Sequence, residues 1–227
     1  MKEKIIIIGT GQHARMLIEL IEEQGKYSIF GLISKKPERK KILNYSVLCT
    51  DRDLKKLLRE NKDIKGYACG IGDNSGGMIV RKKIIENFDK ILNPVNIISP
   101  RSLISKHAKI GKGNIIEAFA KVMNGVKIGN HSMIESYTAV NHDQIVGTNT
   151  FIGNNVSMAG KKIGNNCIIG DGSTIGYKVS IGSNCIVNQG TAVNVDLKSN
   201  KIAYGQPLKI IKNNVFFLDK IKKIKNK

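Results

Sequence analysis

Two adjacent residues carry the clearest chemistry in this chain of 227 residues. In Asn141-His142-Asp143 an imidazole stands next to a carboxylate. A neutral imidazole titrates near physiological pH and can take a proton from an attacking amine or hydroxyl. A neighbouring carboxylate fixes its tautomer and stabilises the imidazolium that forms. Adjacent side chains on a flat strand point apart, so His142 and Asp143 can meet only where the chain turns a corner. A second stretch, Gly9-Thr10-Gly11-Gln12-His13-Ala14, follows an apolar run and opens an amphipathic one. A glycine turn leading into a helix suits a phosphate, because free N–H groups and the helix dipole favour anions there. A dinucleotide site would want an acid about 20 residues on to hold the ribose. Here the next apolar run ends Leu32-Ile33-Ser34-Lys35-Lys36, which argues against NAD.

The elements that must place the histidine are repeats. Branched apolar residues fall every six positions: Ile98, Ile104, Ile110, Ile116, Val122, Ile128, Ile134, Val140, Val146, Ile152 and Met158. One step of five reaches Ile163, and the count of six resumes through Ile169, Ile175, Ile181, Val187 and Val193. Six is neither the helical nor the strand period, so the pattern is a repeat architecture. Three hexads make one triangular coil, and stacked coils pair their backbone groups with neighbours. The Ile/Val column should face inward, each side chain stabilising by roughly 1.5–3 kcal/mol. Gly often follows that residue (Gly111, Gly129, Gly147, Gly164), as expected of a corner needing positive φ. Cys167 and Cys185 share one interior slot a coil apart and should stack as reduced small hydrophobes.

Ahead of the repeats the order is strand–helix three times over. Strands are expected at Lys4–Ile8, Ser28–Ile33 and Gly66–Ile71, and helices after Gly11, at Asp51–Glu60 and at Val80–Phe88. A short strand, Asn93–Ile97, leads into the repeats. This order argues for a small parallel sheet. The expected division is therefore 1–97 as a Rossmann-like α/β domain, 98–211 as a parallel β-helix, and 212–227 as a basic C-terminal helix with Val215, Phe216, Leu218, Ile221 and Ile224 at helical spacing.

The hexad run, with Tyr204-Gly205-Gln206-Pro207-Leu208-Lys209 at its close, resembles the hexapeptide-repeat acyltransferases, whose β-helix is left-handed. Fused to a small α/β domain carrying Gly-x-Gly-x-His, it is similar to the sialic-acid O-acetyltransferase/nucleotide-amino-sugar N-acetyltransferase family. The resemblance implies that Gly9, Gly11 and His13, with Gly72, Asp73 and Asn74 after the third strand, hold a nucleotide sugar. It also implies that His142 and Asp143 are the catalytic dyad. One 18-residue coil beyond His142 lies Gly160, whose missing side chain should leave its N–H open to an oxyanion. By resemblance Ala159, Gly160, Gly205 and Pro207 line the acetyl-CoA groove, and Glu135 stands at the acceptor side where an Asn is common.

Lys and Arg number 37 against 18 Asp and Glu, a net charge of +19. The excess is spread along the chain, and aromatics are only 5 %, so a nucleic-acid face is not expected. An anionic nucleotide and a phosphorylated coenzyme use such a surface better. Met1-Lys2-Glu3-Lys4 leads into a short apolar run, so neither a signal peptide nor a membrane insertion is expected, and the expected compartment is the cytoplasm. His107 and His131 share a hexad slot and should be exposed corners. Neither their spacing nor that of His142 is a multiple of 18, so no stacked metal site is expected. The leading reading is an acetyl-CoA-dependent N-acetyltransferase of nucleotide-linked 4-amino sugars (UDP type), working as a homotrimer in bacterial surface-glycan synthesis. Sialic-acid O-acetylation is the alternative within the class, and a non-catalytic sugar-nucleotide scaffold the alternative outside it.

Overall fold

The computed structural model describes residues 2–35, 40–49, 53–72, 78–205 and 209–213. The chain begins β1 (Glu3–Ile8), α1 (Gln12–Gln24), β2 (Tyr27–Ile33), β3 (Lys41–Ile42), β4 (Tyr45–Cys49), α2 (Leu54–Glu60), β5 (Ile64–Cys69), α3 (Met78–Phe88) and β6 (Asn93–Pro94). The strands form one sheet in the order β3-β4-β2-β1-β5-β6, parallel except at β3. Ile5 to Ile8 of β1 are buried on both faces, as a central parallel strand requires. Gly25 ends α1 at φ 68, its N–H bonded to the Ile21 carbonyl. The β3–β4 hairpin was not legible. Its turn holds Leu43 at φ 49, a residue type that does not announce such a turn.

From Ile97 the chain winds into a three-sided prism of two-residue strands. The first face stacks Ile97–Ile98, Ile115–Ile116, Met133–Ile134, Phe151–Ile152, Ile168–Ile169 and Ile186–Val187. The second runs from Leu103–Ile104 to Ala192–Val193, the third from Lys109–Ile110 to Ser180–Ile181. Register advances by 18 residues per coil, as in Lys127↔Ile145, and by 17 where the five-residue step falls, as in Ile145↔Lys162. The inward column is one continuous core. The slot four after it closes the corners. Thr150 Oγ1 donates to the Gly164 carbonyl at 2.8 Å and accepts from the Cys167 N–H at 3.3 Å. Cys167 and Cys185 are both fully buried, and neither forms a disulfide.

Two expectations about the repeats fail here. The glycines directly after the core residue do not have positive φ. The left-handed slot is two residues later and holds Asn149, Asn155, Asn166, Asn184, Gly113, Gly125, Gly172 and Gly190. The first set is glycine because coils stack there. A Cβ on Gly147 would lie 2.5 Å from the Gly164 carbonyl group, and one on Gly164 2.5 Å from the Ser183 nitrogen. Gly147→Ala must therefore force two backbones apart. We expect a loss of about 2–3 kcal/mol, measured by chemical denaturation. The second failure is at the C-terminal end. Lys209–Asn213 is a strand antiparallel to Lys201–Tyr204, crossing the boundary expected at 211. Residues 214–227, where the basic helix was expected, lie outside the described residues.

The first face alone is apolar on its outside. Ile97, Ile115, Met133 and Phe151 pack under Leu17, Ile18 and Ile21 of α1, joining the two domains in a second core. The corresponding outward positions on the other faces include Lys109, Lys121, Lys127 and Lys162, all exposed, and the apolar Leu103 and Ile145, which are exposed too. No helix among the described residues is long and apolar enough to cross a membrane.

Candidate active site

The α/β domain sits on the first face of the prism and encloses a cavity of about 910 Å³ along the edge that carries Glu117 and Glu135. Its α/β wall is the start of α1. Gly9 adopts φ 104 and has no room for a Cβ, which would lie 2.9 Å from the Gly70 carbonyl oxygen. Gly11 is the N-cap of α1 and makes no side-chain cap bond, so the first N–H groups of the helix open onto the cavity. Lys35 and Lys83 line the same wall. The opposite wall belongs to the prism and presents Glu117, Glu135 and Phe151. One side is thus basic and rich in free donors, and the other carries two carboxylates.

His13 lies in the first turn of α1 with Gly72 against its ring. Its Nε2 is buried without a hydrogen-bond partner. Burial, helped by the Arg81 charge, lowers its pKa to about 4, so it is neutral at pH 7. Since the folded value lies below the unfolded 6.5, stability from this group is complete above pH 6.5. It is lost as pH falls towards 4, where the deficit reaches about 3 kcal/mol. Thermal unfolding of wild type and His13→Gln between pH 7 and 4 should show a shallower decline in the variant.

His142 stands on the next edge of the prism. Its Nδ1 is 3.0 Å from Asp143 Oδ2, with the two side chains 64 % and 75 % exposed. The bond requires Nδ1–H as donor, which leaves the Nε2 lone pair facing outward. Asp143 occupies the left-handed slot at φ 60, and this turn swings its carboxylate round to the imidazole. Ala159 and Gly160 follow on the neighbouring coil, where Val140 pairs with Met158. Gly160 lacks a side chain for a different reason from the one expected. A Cβ would point into the prism, 2.7 Å from the Val179 oxygen and 2.8 Å from Ile175 Cγ2. No backbone hydrogen bond is recorded from its N–H among the described residues.

Gly9, Gly11, His13, Gly72 and Glu135 therefore meet at one cavity, while His142, Asp143, Ala159 and Gly160 share a separate edge. Gly205 does not join the second group, because it ends a strand of the first face. Asp73, Asn74 and Pro207 lie outside the described residues. His107 is exposed as expected, but His131 is not: it is 4 % exposed in the domain interface. Its Nε2 bonds Asp89 Oδ2 at 2.9 Å, and its ring stacks on Tyr67, whose hydroxyl donates to the other Asp89 oxygen. Beside it Arg81, wholly buried, donates to the Ile71 and His131 carbonyls and to Asn149 Oδ1. The slot's identity hid this, since a corner is exposed only where nothing docks on it.

Reading from the sequence also passed over Glu117, Lys35 and Lys83. Glu117 had a signal, since it fills the same hexad slot as Glu135 one coil earlier. Phe119 and Tyr137 were missed as well. They stack at 5.0 Å, are 48 % and 60 % exposed, and hold φ 62 and 61 where most hexads use Asn or Gly. Aromatics in that conformation carry strain of order 1–3 kcal/mol. No group of three or more potential metal ligands occurs among the described residues.

The PglD N-terminal domain family matches residues 4–88, and the bacterial transferase hexapeptide family (six repeats) matches 107–142. No curated protein matches. Among solved structures, a mutant of perosamine N-acetyltransferase from Caulobacter crescentus in complex with CoA and GDP-perosamine is 27 % identical. It has a TM-score of 0.85, covering 92 % of this chain and 97 % of that one. PerB from the same organism, with the same two ligands, is 26 % identical over the same shares with a TM-score of 0.83. The acetyltransferase domain of PglB from Neisseria gonorrhoeae, in complex with acetyl coenzyme A, shares the fold at 21 % identity. Its TM-score is 0.81, covering 93 % of this chain and 100 % of that one. The fold is the expected one, a small α/β domain on a left-handed parallel β-helix.

Proposed function

Since the chain is a hexapeptide-repeat acyltransferase with a PglD-type N-terminal domain, we propose that it moves the acetyl group of acetyl-CoA onto the amine of a nucleotide-linked 4-amino sugar. The observation that carries this reading is the His142–Asp143 pair, solvent-facing and 3.0 Å apart, in a fold matched over 92 % of its length to N-acetyltransferases holding CoA and GDP-perosamine. His142 Nε2 takes a proton from the amine as its nitrogen attacks the thioester carbonyl, and Asp143 stabilises the imidazolium. The tetrahedral oxyanion is placed at the Gly160 N–H. The intermediate collapses to the amide, and the CoA thiolate leaves with the proton from His142.

The nucleotide belongs in the cavity, with its diphosphate at the free N–H groups of α1 and beside Lys35 and Lys83. UDP remains the assignment from the resemblance; the structural neighbours hold GDP-perosamine. The carboxylates of Glu117 and Glu135 disfavour the alternative acceptor, because a sialic acid would bring its own carboxylate to them.

Cavity and dyad lie on different edges of one subunit, so a second copy must supply the histidine. We place the neighbour's His142 edge at the mouth of the cavity, around a homotrimer axis. The strained, exposed Phe119–Tyr137 stack stands two residues beyond Glu117 and Glu135 and gives such a contact its apolar surface. The setting that uses this product is bacterial surface-glycan synthesis in the cytoplasm.

The test is turnover by purified protein with acetyl-CoA and UDP- or GDP-linked 4-amino sugars. Thiol release should accompany a product stable to mild base, as an amide is. Thiol release that yields only a base-labile ester would replace N-acetylation by O-acetylation. Neither acetyl-CoA binding nor thiol release would leave the scaffold reading.

A further inference from the structure

Glu117 and Glu135 occupy the slot directly after the core residue on successive coils of one edge. In eight other hexads that slot is glycine. Stacked strands lie about 4.8 Å apart, so two carboxylates there repel each other. Both are nevertheless held in place. Glu117 Oε2 accepts from the Ser136 N–H at 3.2 Å and from its hydroxyl at 2.9 Å. Glu135 Oε2 accepts from Asn154 Nδ2 at 2.6 Å. In a chain with 37 Lys and Arg, none forms an ion pair with Glu117 among the described residues. Burial, with the charge of Asp171 nearby, pushes the Glu117 carboxyl up. These acids form one wall of the cavity whose other wall carries the glycine turn, Lys35 and Lys83.

We propose that Glu117 and Glu135 are the charge-reading residues of the acceptor pocket, selecting a sugar that arrives as an ammonium over the same sugar with a hydroxyl; the ammonium gives one proton to water to become the attacking amine, and His142 takes the second as the nitrogen attacks. The proposal rests on the nucleotide-sugar reading above and adds to it the residues that set its selectivity. The molecule that fits such a cavity is bipolar. Its diphosphate faces the basic wall and its cationic nitrogen faces the acidic one. A hydroxyl in that place would leave Glu117 without a positive partner among the described residues, and hydrogen bonds to charged groups are the strong ones. Glu117 and Glu135 act on binding, so their effect falls on KM more than on kcat.

The experiment compares dissociation constants for a UDP- or GDP-linked 4-amino sugar, the matching 4-hydroxy sugar and the free nucleotide, for wild type, Glu117→Gln and Glu135→Gln. Glutamine keeps an oxygen for Ser136 or Asn154 and removes only the charge. Wild type should bind the amino sugar at least about tenfold more tightly than the hydroxy sugar. Each variant should lose most of that ratio while holding the free nucleotide as wild type does, with KM for the amino sugar rising and kcat nearly unchanged. A wild-type ratio near one with N-acetylation intact overturns this proposal and leaves the function standing. So does a variant that weakens all three ligands equally, which marks a structural role. If wild type binds neither sugar nucleotide, the function reading falls and this one with it.

Discussion

His142→Ala is expected to lower kcat by at least about 10²-fold, the lower end of what a positioned general base contributes. The fold should survive, because the side chain is 64 % exposed and its one hydrogen bond is to the adjacent Asp143. Steady-state thiol release measures the first claim and thermal unfolding the second. Near-wild-type turnover would end the mechanism. Asp143→Asn gives a finer reading. Asn tolerates the left-handed conformation that Asp143 holds at φ 60, so the backbone stays and only the charge is lost. Turnover should fall while binding of both substrates holds. The placement of cavity and dyad on separate edges adds a mixing test. Gly9→Val blocks the glycine turn, where even a Cβ meets the Gly70 carbonyl oxygen at 2.9 Å. Assemblies refolded from Gly9→Val and His142→Ala chains should regain activity that neither parent has, because an intact cavity can then face an intact histidine. No recovery would place both halves of the site in one chain.

Arg81→Ala should be the most damaging single change to stability, about 3–5 kcal/mol. The guanidinium is fully buried and donates to three acceptors: the Ile71 carbonyl, the His131 carbonyl and Asn149 Oδ1. Removing it leaves those acceptors dry, at about 1–3 kcal/mol each before relaxation. Two of the three belong to the β-helix, while Arg81 itself is on α3. The loss therefore falls on the joint between domains, and calorimetry should show one transition separating into two. Affinity for the nucleotide sugar should fall too, because α3 carries Lys83 on one wall and the β-helix carries Glu117 and Glu135 on the other. A variant with a single transition and unaltered binding would show that the apolar contact of α1 with Ile97, Ile115, Met133 and Phe151 suffices to join them.

Most of the scaffold was legible because the hexad is strict. A two-residue strand can satisfy its backbone only against the coil above and below, so one period dictates the whole prism. The glycine slot shows where this reading goes wrong. Sequence shows that Gly147 and Gly164 recur, but positive φ and close stacking both select glycine, and only coordinates separate them. A signal for domain docking was also present and unread. The first face doubles its apolar residues, as in Ile115-Ile116 and Phe151-Ile152, where the other faces alternate, as in Lys109-Ile110 and Lys127-Ile128.

By itself the sequence determined the local chemistry: a glycine turn opening a helix, an imidazole next to a carboxylate, and a coil length that sets Gly160 one rung from His142. Such features depend on neighbours in the chain or on a fixed period. The tertiary structure alone decided what depends on docking. It turned His131 from a surface corner into a buried partner of Asp89 and Tyr67, and it closed the glycine turn over Glu117 and Glu135. It also set the dyad one edge away from the cavity. Which prism face a second domain covers is fixed by side-chain packing between segments far apart in sequence, and no repeat period encodes that.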